Sequence, residues 1–261
     1  MAGRDLTTPD PWRHLRSFTR ARIALGRAGD SLPTDEILGF GYAHALARDA
    51  VHRPLDLAAL ADELKQSGFD TLNVRSAAPD RSAYLLRPDL GRELAPDSAD
   101  TLRTQPEKGW DLVAVVGDGL SSLAVGRHAR PLLERIRAAL PQAWRFGPVV
   151  LASQARVALG DPVGELLQAK MVAVLIGERP GLTSPDSLGL YLTHAPKTGC
   201  QDSARNCISN IRPEGLGYDD AARKTVWLAK EGMRLGLTGV GLKDRSDQEL
   251  LGAPGMLATS I

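Results

Sequence analysis

Short uninterrupted apolar runs alternate with amphipathic segments in the second half of the chain. Such runs are typical of strands buried on both faces of a parallel sheet, and the amphipathic segments have the apolar spacing of helices. The predicted strands cover 111–116, 148–152, 172–176 and 190–193, with a further extended segment at 207–211 and a last helix over 219–235. Strands that alternate with helices predict an α/β fold with a doubly wound, mostly parallel, Rossmann-like sheet.

Prolines affect the predicted geometry of two of the helices between these strands. In the helix that follows strand 111–116, Pro131 falls among the apolar positions and is expected to kink or split the helix. Before strand 172–176, Asp161 is expected to cap a helix whose first position is Pro162, because proline is favoured at that position.

The first part of the chain has the spacing of helices. Helices are predicted over 12–26, from Thr34 to shortly before Pro54, and over 56–66. On the first of them, four arginines would share one face: Arg13, Arg16, Arg20 and Arg27. Such a stripe is either a solvated face or a surface for a partner protein.

The middle of the chain separates the two patterns. A short strand is predicted at 83–86, and the polar segment 96–109 is predicted to be a linker. The resulting division has three parts: a helical N-terminal region (1–105), an α/β domain (106–243) and a C-terminal tail (244–261), which is expected to be disordered or accessory.

Composition limits the class of protein. The 261 residues include 32 basic and 31 acidic side chains, a balance that argues against nucleic-acid and membrane-surface binding. The two cysteines, Cys200 and Cys207, are too few for a disulfide framework. The polar N-terminus lacks a signal peptide, and no apolar run approaches the roughly 18 residues of a membrane span. We therefore expect a cytoplasmic protein with no nucleic-acid or membrane partner.

A turn at the end of strand 172–176 carries an acid and a base. Glu178 and Arg179 precede Pro180 and Gly181, and in open α/β sheets ligands bind at the carboxyl ends of the strands. A ligand-binding role and a solvated turn are comparable interpretations of this pair.

The loop after strand 111–116 also has two interpretations. Gly117 and Gly119 precede a helix, an arrangement that could bring backbone N–H groups to a phosphate. The alternative is an ordinary strand-to-helix turn in which Ser121 or Ser122 caps the helix.

A self-sufficient catalytic set is missing from the sequence. The five histidines are scattered outside metal-binding motifs, and His44 is expected to be a core residue. Cys207 is expected to be a small buried side chain rather than a nucleophile, because nothing nearby would lower the pKa of its thiol. This pattern favours a binding subunit over an independent enzyme.

Six segments together carry a resemblance to a known family. They are 18–27, 44–51, 84–91, 116–122, 177–182 and 207–211. As an ordered set, they resemble the small (light) subunit family of ethanolamine ammonia-lyase. The resemblance implies a complex that converts ethanolamine to acetaldehyde and ammonia with adenosylcobalamin. It also implies that a large subunit binds ethanolamine and carries catalysis. The arginine stripe of the predicted first helix indicates that region 1–105 contacts this partner.

The resemblance also implies which residues bind the cofactor. Val157, Glu178 and Cys207 match the cobalamin contacts of the family, within the α/β domain. A cytoplasmic location is implied, with a bacterial microcompartment as a further option. Two other classes stay open: a nucleotide-binding, Rossmann-like oxidoreductase that uses the Gly117 turn, and an assembly subunit that binds no ligand.

Overall fold

The computed structural model describes residues 6–248. Seven α-helices lie in this part of the chain: α1 (Thr34–His52), α2 (Leu57–Gln66), α3 (Arg81–Leu86), α4 (Pro96–Arg103), α5 (Ser122–Ala139), α6 (Gly160–Leu166) and α7 (Tyr218–Leu235). Six strands form one sheet: β1 (Thr71–Arg75), β2 (Leu112–Gly117), β3 (Phe146–Ser153), β4 (Met171–Gly177), β5 (Leu188–His194) and β6 (Arg205–Ile211).

The sheet is parallel on one side and antiparallel on the other. Its strand order is β1-β3-β2-β4-β5-β6; the first four strands are parallel, and β5 and β6 each run antiparallel to the strand before them. The predicted mixed α/β fold with a mostly parallel sheet is confirmed. The finer prediction of a doubly wound, Rossmann-like arrangement stays a prediction, because an antiparallel pair completes this sheet.

Two hydrophobic cores lie on opposite faces of the sheet. Alternate residues of β4 enter the two cores because successive side chains of a strand point to opposite faces. On what we call the first face, α2, α5 and α7 cover the sheet. On the second face, α4 and α6 cover the parallel strands. Over β5 and β6 the second face leaves Tyr191 half-buried and Cys207 exposed.

The predicted helix over 12–26 is wrong. Only Arg13–Ser17 is helical, as a short 3-10 turn without buried residues. Beyond it, Ala24 and Gly26 have φ values of 50° and 76°, outside the range of a right-handed helix. Without a core to pack against, the amphipathic pattern gives no helix, and the segment folds back so that Thr8 bridges Arg27. The arginines therefore form no helical stripe, and Arg16 pairs with Glu36 of α1 at 2.5 Å.

The middle of the chain also differs from prediction. The strand expected at 83–86 is part of helix α3, which Asp80 caps by accepting a hydrogen bond from the Ala83 N–H. The expected linker at 96–109 contains α4, which packs on α6 and β1. Strand β1 was not predicted because its sequence, Thr-Leu-Asn-Val-Arg, mixes polar and apolar residues as an edge strand does.

Other boundaries refine the predicted organisation. Helix α5 runs through Pro131 without interruption, so the predicted split is wrong. Strand β1 pairs with β3, so the sheet draws on both sides of the predicted boundary at residue 105, and the three-part division stays a prediction. At the start of the predicted tail, Asp244 and Asp247 pair with Lys224 of α7, while residues 249–261 lie outside the described residues.

Every helix within 6–248 is too short or too polar to span a bilayer.

Candidate functional site

Tyr191 is the centre of a group of side chains on the open part of the second face. It lies in β5, where Leu190 and Leu192 point into the first-face core and Tyr191 points the other way. Burial raises the pKa of the Tyr191 hydroxyl, and the neighbouring Cys207 and Glu178 raise it further. At neutral pH the hydroxyl is therefore protonated and able to donate a hydrogen bond.

Cys207 lies beside Tyr191 on the adjacent strand. The two residues are direct partners in the antiparallel β5–β6 ladder, so their side chains lie next to each other on the same face of the sheet. The Cys207 side chain is exposed, so the expectation that it is buried is wrong. The pKa of the thiol is nevertheless raised, because nearby protein atoms partly desolvate it and because Glu178 places negative charge close by. The thiol is therefore a neutral contact surface and not an activated nucleophile.

Glu178 reaches across the end of β5 from the turn that follows β4. Its Oε2 accepts hydrogen bonds from the Ser187 hydroxyl and, at 3.3 Å, from the Asn210 N–H. Among residues 6–248, no hydrogen-bond donor reaches Oε1. A Cβ at Gly189 would lie 3.1 Å from that oxygen, so glycine provides the space for the carboxylate. Glu178 is thus a fixed acceptor with one oxygen available to a ligand.

Val157 completes the group from the loop after β3. It begins the short 3-10 turn Val157–Leu159, and it lines a cavity of about 320 Å³ together with Tyr191. The other lining residues are Pro88, Arg92, Arg156, Ala158 and Asp202. The three sequence-predicted residues therefore surround Tyr191: Cys207 beside it, Glu178 towards one end of β5, and Val157 across the cavity.

The Gly117 turn is closed by other parts of the chain. Ser121 caps α5 by accepting a hydrogen bond from the Ala124 N–H at 3.2 Å, which confirms the interpretation as an ordinary strand-to-helix turn. The Leu120 N–H donates to the Gly177 carbonyl, and a Cβ at Gly177 would collide with the backbone of Ser121. The backbone of β4 thus occupies the space that an anion would need.

A buried ion pair lies beneath the candidate site. Two nitrogens of Arg205 contact the two carboxylate oxygens of Asp161 at 2.6 and 2.7 Å, and both side chains are 1% exposed. Arg205 also donates to Thr193 Oγ1 and the Cys200 carbonyl. The prediction that Asp161 caps a helix is wrong, because Asp161 lies inside α6 and its carboxylate faces Arg205. The pair ties α6 to β6, two residues before Cys207.

Comparison with known proteins gives the family of the chain. Residues 9–243 match the family model described as ethanolamine ammonia-lyase light chain (EutC). The chain belongs to this family. It is 55% identical over 259 residues to the ethanolamine ammonia-lyase small subunit of Azotobacter vinelandii, covering 98% of this chain and 96% of the relative. It is 57% identical over 252 residues to that of Xanthomonas campestris pv. campestris, covering 94% and 93% respectively. The small subunit of Pseudomonas aeruginosa is 55% identical over 252 residues, covering 95% and 92%.

Family membership confirms the resemblance that the six segments carry. The cofactor contacts of Val157, Glu178 and Cys207 stay a prediction, now with a common location around Tyr191. Sequence reasoning missed Tyr191 and Arg156 as members of the group. The available signal was the alternation in β5, where glycine and tyrosine occupy the face opposite three leucines. Within residues 6–248, no cluster of His, Cys, Asp and Glu side chains could hold a metal ion.

His44 and His128 lie in different surroundings. His44 on α1 is exposed, so its expected place in the core is wrong. His128 on α5 is buried instead, with Nδ1 2.7 Å from the Tyr218 hydroxyl and Nε2 3.7 Å from Asp186 Oδ2. Burial lowers the pKa of His128, and the negative charge of Asp186 opposes this only in part.

The lowered pKa of His128 predicts a loss of stability in mild acid. Below pH of about 6.5 the unfolded histidine binds a proton that the folded one does not, so the free energy of unfolding should fall as the pH drops. The difference in this free energy between pH 7.5 and 5.5, measured by urea unfolding, should be smaller in His128→Gln than in the wild type. His44→Gln is the control and should keep the wild-type difference. Equal pH dependence in both variants would remove His128 as the cause.

Proposed function

We propose that this chain is the small subunit of an adenosylcobalamin-dependent ethanolamine ammonia-lyase and supplies part of the cobalamin-binding surface. In this proposal the large subunit binds ethanolamine and carries catalysis. The supporting observation is the convergence of Val157, Glu178 and Cys207 on Tyr191, on a part of the sheet that α4 and α6 leave uncovered. The relatives that match the chain over nearly its whole length are ethanolamine ammonia-lyase small subunits.

The residues present fit the chemistry of a corrinoid. Cobalamin carries neutral amide side chains around its rim, and these donate hydrogen bonds to acceptors such as the available Oε1 of Glu178. Its benzimidazole is apolar and suits contact with Val157 and the neutral thiol of Cys207. When bound, adenosylcobalamin supplies radical chemistry, and the residues of this chain position the cofactor without reacting.

The proposed function includes the finer features of the fold. We assign the binding surface to a domain of residues 106–243 with a doubly wound, Rossmann-like parallel part, in which α5 and α6 lie on opposite faces. Region 1–105 is proposed to contact the large subunit. A cytoplasmic location, with or without a microcompartment, accompanies this assignment. A nucleotide-binding oxidoreductase has no support from the Gly117 turn, because the backbone of Gly177 and Ser121 fills it.

The surface proposed to contact the large subunit is an exposed apolar face. On α1, Leu38 is 67% and Tyr42 is 68% exposed, and only Ala43 and Ala50 of this helix are buried. Such a concentration of exposed apolar side chains on one helix is typical of a protein interface. Arg22 connects this region to the candidate site: it lies over the Phe40 ring at 5.8 Å and donates to the Leu182 carbonyl, in the turn that carries Glu178.

Charging the α1 surface should prevent assembly. The double substitution Leu38→Asp with Tyr42→Asp puts two charges where we expect an apolar contact, so co-purification with the large subunit should be lost while the chain stays folded. Val240→Asp is the matched control, since Val240 is 73% exposed in the segment beside β6. Normal assembly of the double variant, with a circular dichroism spectrum like that of the wild type, would locate the interface elsewhere.

The function itself is tested in the reconstituted complex. The two purified subunits, mixed with adenosylcobalamin and ethanolamine, should release acetaldehyde and ammonia, and either subunit alone should not. A visible corrin spectrum should remain with the complex after gel filtration. Full activity of a large subunit without this chain would contradict the proposal, and assembly without retention of the corrinoid would favour a ligand-free assembly subunit.

A further inference from the structure

The cavity between Val157 and Tyr191 has a cationic wall that the three proposed cofactor contacts do not explain. Two of its lining residues, Arg92 and Arg156, are arginines, and its only acidic lining residue is Asp202. Asp202 is 3.8 Å from Arg92 and 3.4 Å from Arg205, so its charge is shared between them. The cavity therefore has more positive than negative charge, and it opens beside two residues of the candidate site.

Arg156 is the less satisfied of the two arginines. Within the described part of the chain, its Nε is buried without a hydrogen-bond partner, and its Nη2 has a single hydrogen bond, to the Tyr84 carbonyl at 3.4 Å. Among residues 6–248, no carboxylate lies within ion-pair distance of it. Arg81, by contrast, lies over the same Tyr84 ring and has Asp118 as its partner at 3.4 Å. The charge of the Arg156 guanidinium is thus not compensated by a neighbouring carboxylate, and an anionic ligand in the cavity would pair with it.

The position of Arg156 is fixed by rigid surroundings. Its guanidinium lies 4.3 Å from the centre of the Tyr84 ring. Tyr84 is fully buried, and its hydroxyl donates a hydrogen bond to the Ala155 carbonyl at 3.0 Å. A Cβ at Gly91 would lie 2.8 Å from Arg156 Cγ, so the side chain passes closely over that glycine. The guanidinium is thus held in place before any ligand binds, which reduces the entropy lost on binding.

We propose that Arg156, assisted by Arg92, binds the phosphodiester of the nucleotide tail of cobalamin. This inference rests on the proposed function and adds to it a contact that fixes the tail. The phosphodiester is the anionic group of the tail, it is linked through ribose to the benzimidazole, and Val157 follows Arg156 directly in the chain. A planar guanidinium matches two phosphate oxygens at once, as an ammonium cannot.

The test separates the tail from the corrin ring. Cyanocobalamin and dicyanocobinamide, which lacks the nucleotide tail, are titrated into the complex of both subunits and followed by their visible spectra. Arg156→Met should weaken cyanocobalamin binding roughly ten- to a hundredfold and leave cobinamide binding unchanged. Arg156→Lys keeps the charge without the planar geometry and should lie between the wild type and Arg156→Met. Arg145→Met is the matched control, since Arg145 also lies over an aromatic ring, that of Trp110 at 4.5 Å, but is exposed.

Each contrary result has a distinct meaning. Equal weakening of both corrinoids by Arg156→Met, or no weakening of either, would overturn the assignment of the tail while wild-type binding still supports the proposed function. Equal wild-type affinity for the two corrinoids would also overturn it, and saturable binding of inorganic phosphate in that case would assign the cavity to a free anion. A wild-type complex that binds neither corrinoid would overturn the proposed function and this inference with it.

Discussion

Replacing Asp161 with alanine should lower the free energy of unfolding by about 3–5 kcal/mol. The substitution leaves Arg205 charged and 1% exposed, without the carboxylate that contacts two of its nitrogens. Removing one partner of a buried pair is costly because the desolvated charge that remains loses its main compensation, and the exposed Asp202, 3.4 Å from Arg205, replaces it only in part. Urea unfolding of the purified chain, followed by circular dichroism, measures this loss.

An exposed ion pair provides the control for Asp161. Asp100 pairs with Arg103 at 2.6 Å, but both side chains are more than half exposed, so Asp100→Ala should change the stability little. The double substitution Asp161→Leu with Arg205→Met removes both charges and should recover much of the loss. If Asp161→Ala unfolds at the same urea concentration as Asp100→Ala, the buried pair does not hold α6 to β6.

The second large effect is expected at Glu178 and concerns cofactor affinity. Glu178→Ala should weaken cobalamin binding by the complex about ten- to a hundredfold, since hydrogen bonds to a charged group contribute roughly 1.5–3 kcal/mol. The carboxylate is already fixed by Ser187 and Asn210, so little ordering is needed when a ligand amide donates to Oε1. Titration with cyanocobalamin, followed by its visible spectrum, measures the change.

Two further variants show whether the position of Glu178 matters. Glu178→Gln keeps one carbonyl acceptor and should lose less affinity than Glu178→Ala. Gly189→Ala adds a methyl group 3.1 Å from Oε1 and should weaken binding by displacing the carboxylate, although Glu178 itself is unchanged. Arg179→Ala, at the exposed neighbouring position, is the control. Wild-type affinity in both Glu178 variants would return Glu178 to the interpretation as a solvated turn.

The strands of the second half of the chain were predictable because burial on both faces produces a simple sequence pattern, a continuous apolar run. The fully buried β2 and β4 consist of apolar residues and glycine, whereas the edge strand β1 contains asparagine and arginine and carries no such signal. Helical periodicity was less reliable. It predicted α1 correctly over Thr34–His52 but gave a false helix over 12–26, where no core residue is available to fix the amphipathic face.

The candidate site shows a different limit of sequence reasoning. Val157, Glu178 and Cys207 came from a family resemblance, and their spacing along the chain does not indicate that they share Tyr191 as a neighbour. That neighbourhood depends on β5 and β6 running antiparallel beside β4, a topology that the apolar pattern does not encode. The ion pair between Asp161 and Arg205 could likewise not be predicted, because Arg205 is distant in sequence and lies on another element.

In the proposed function, the open second face over β5 and β6 couples cofactor binding to subunit assembly. A ligand that binds on an open surface also contacts the chain that covers this surface. By linkage, the factor by which the large subunit raises the affinity of this chain for cobalamin equals the factor by which cobalamin raises the affinity between the subunits. Cofactor supply would then set the fraction of subunits that remain assembled on dilution, and cofactor loss would favour dissociation before either chain unfolds.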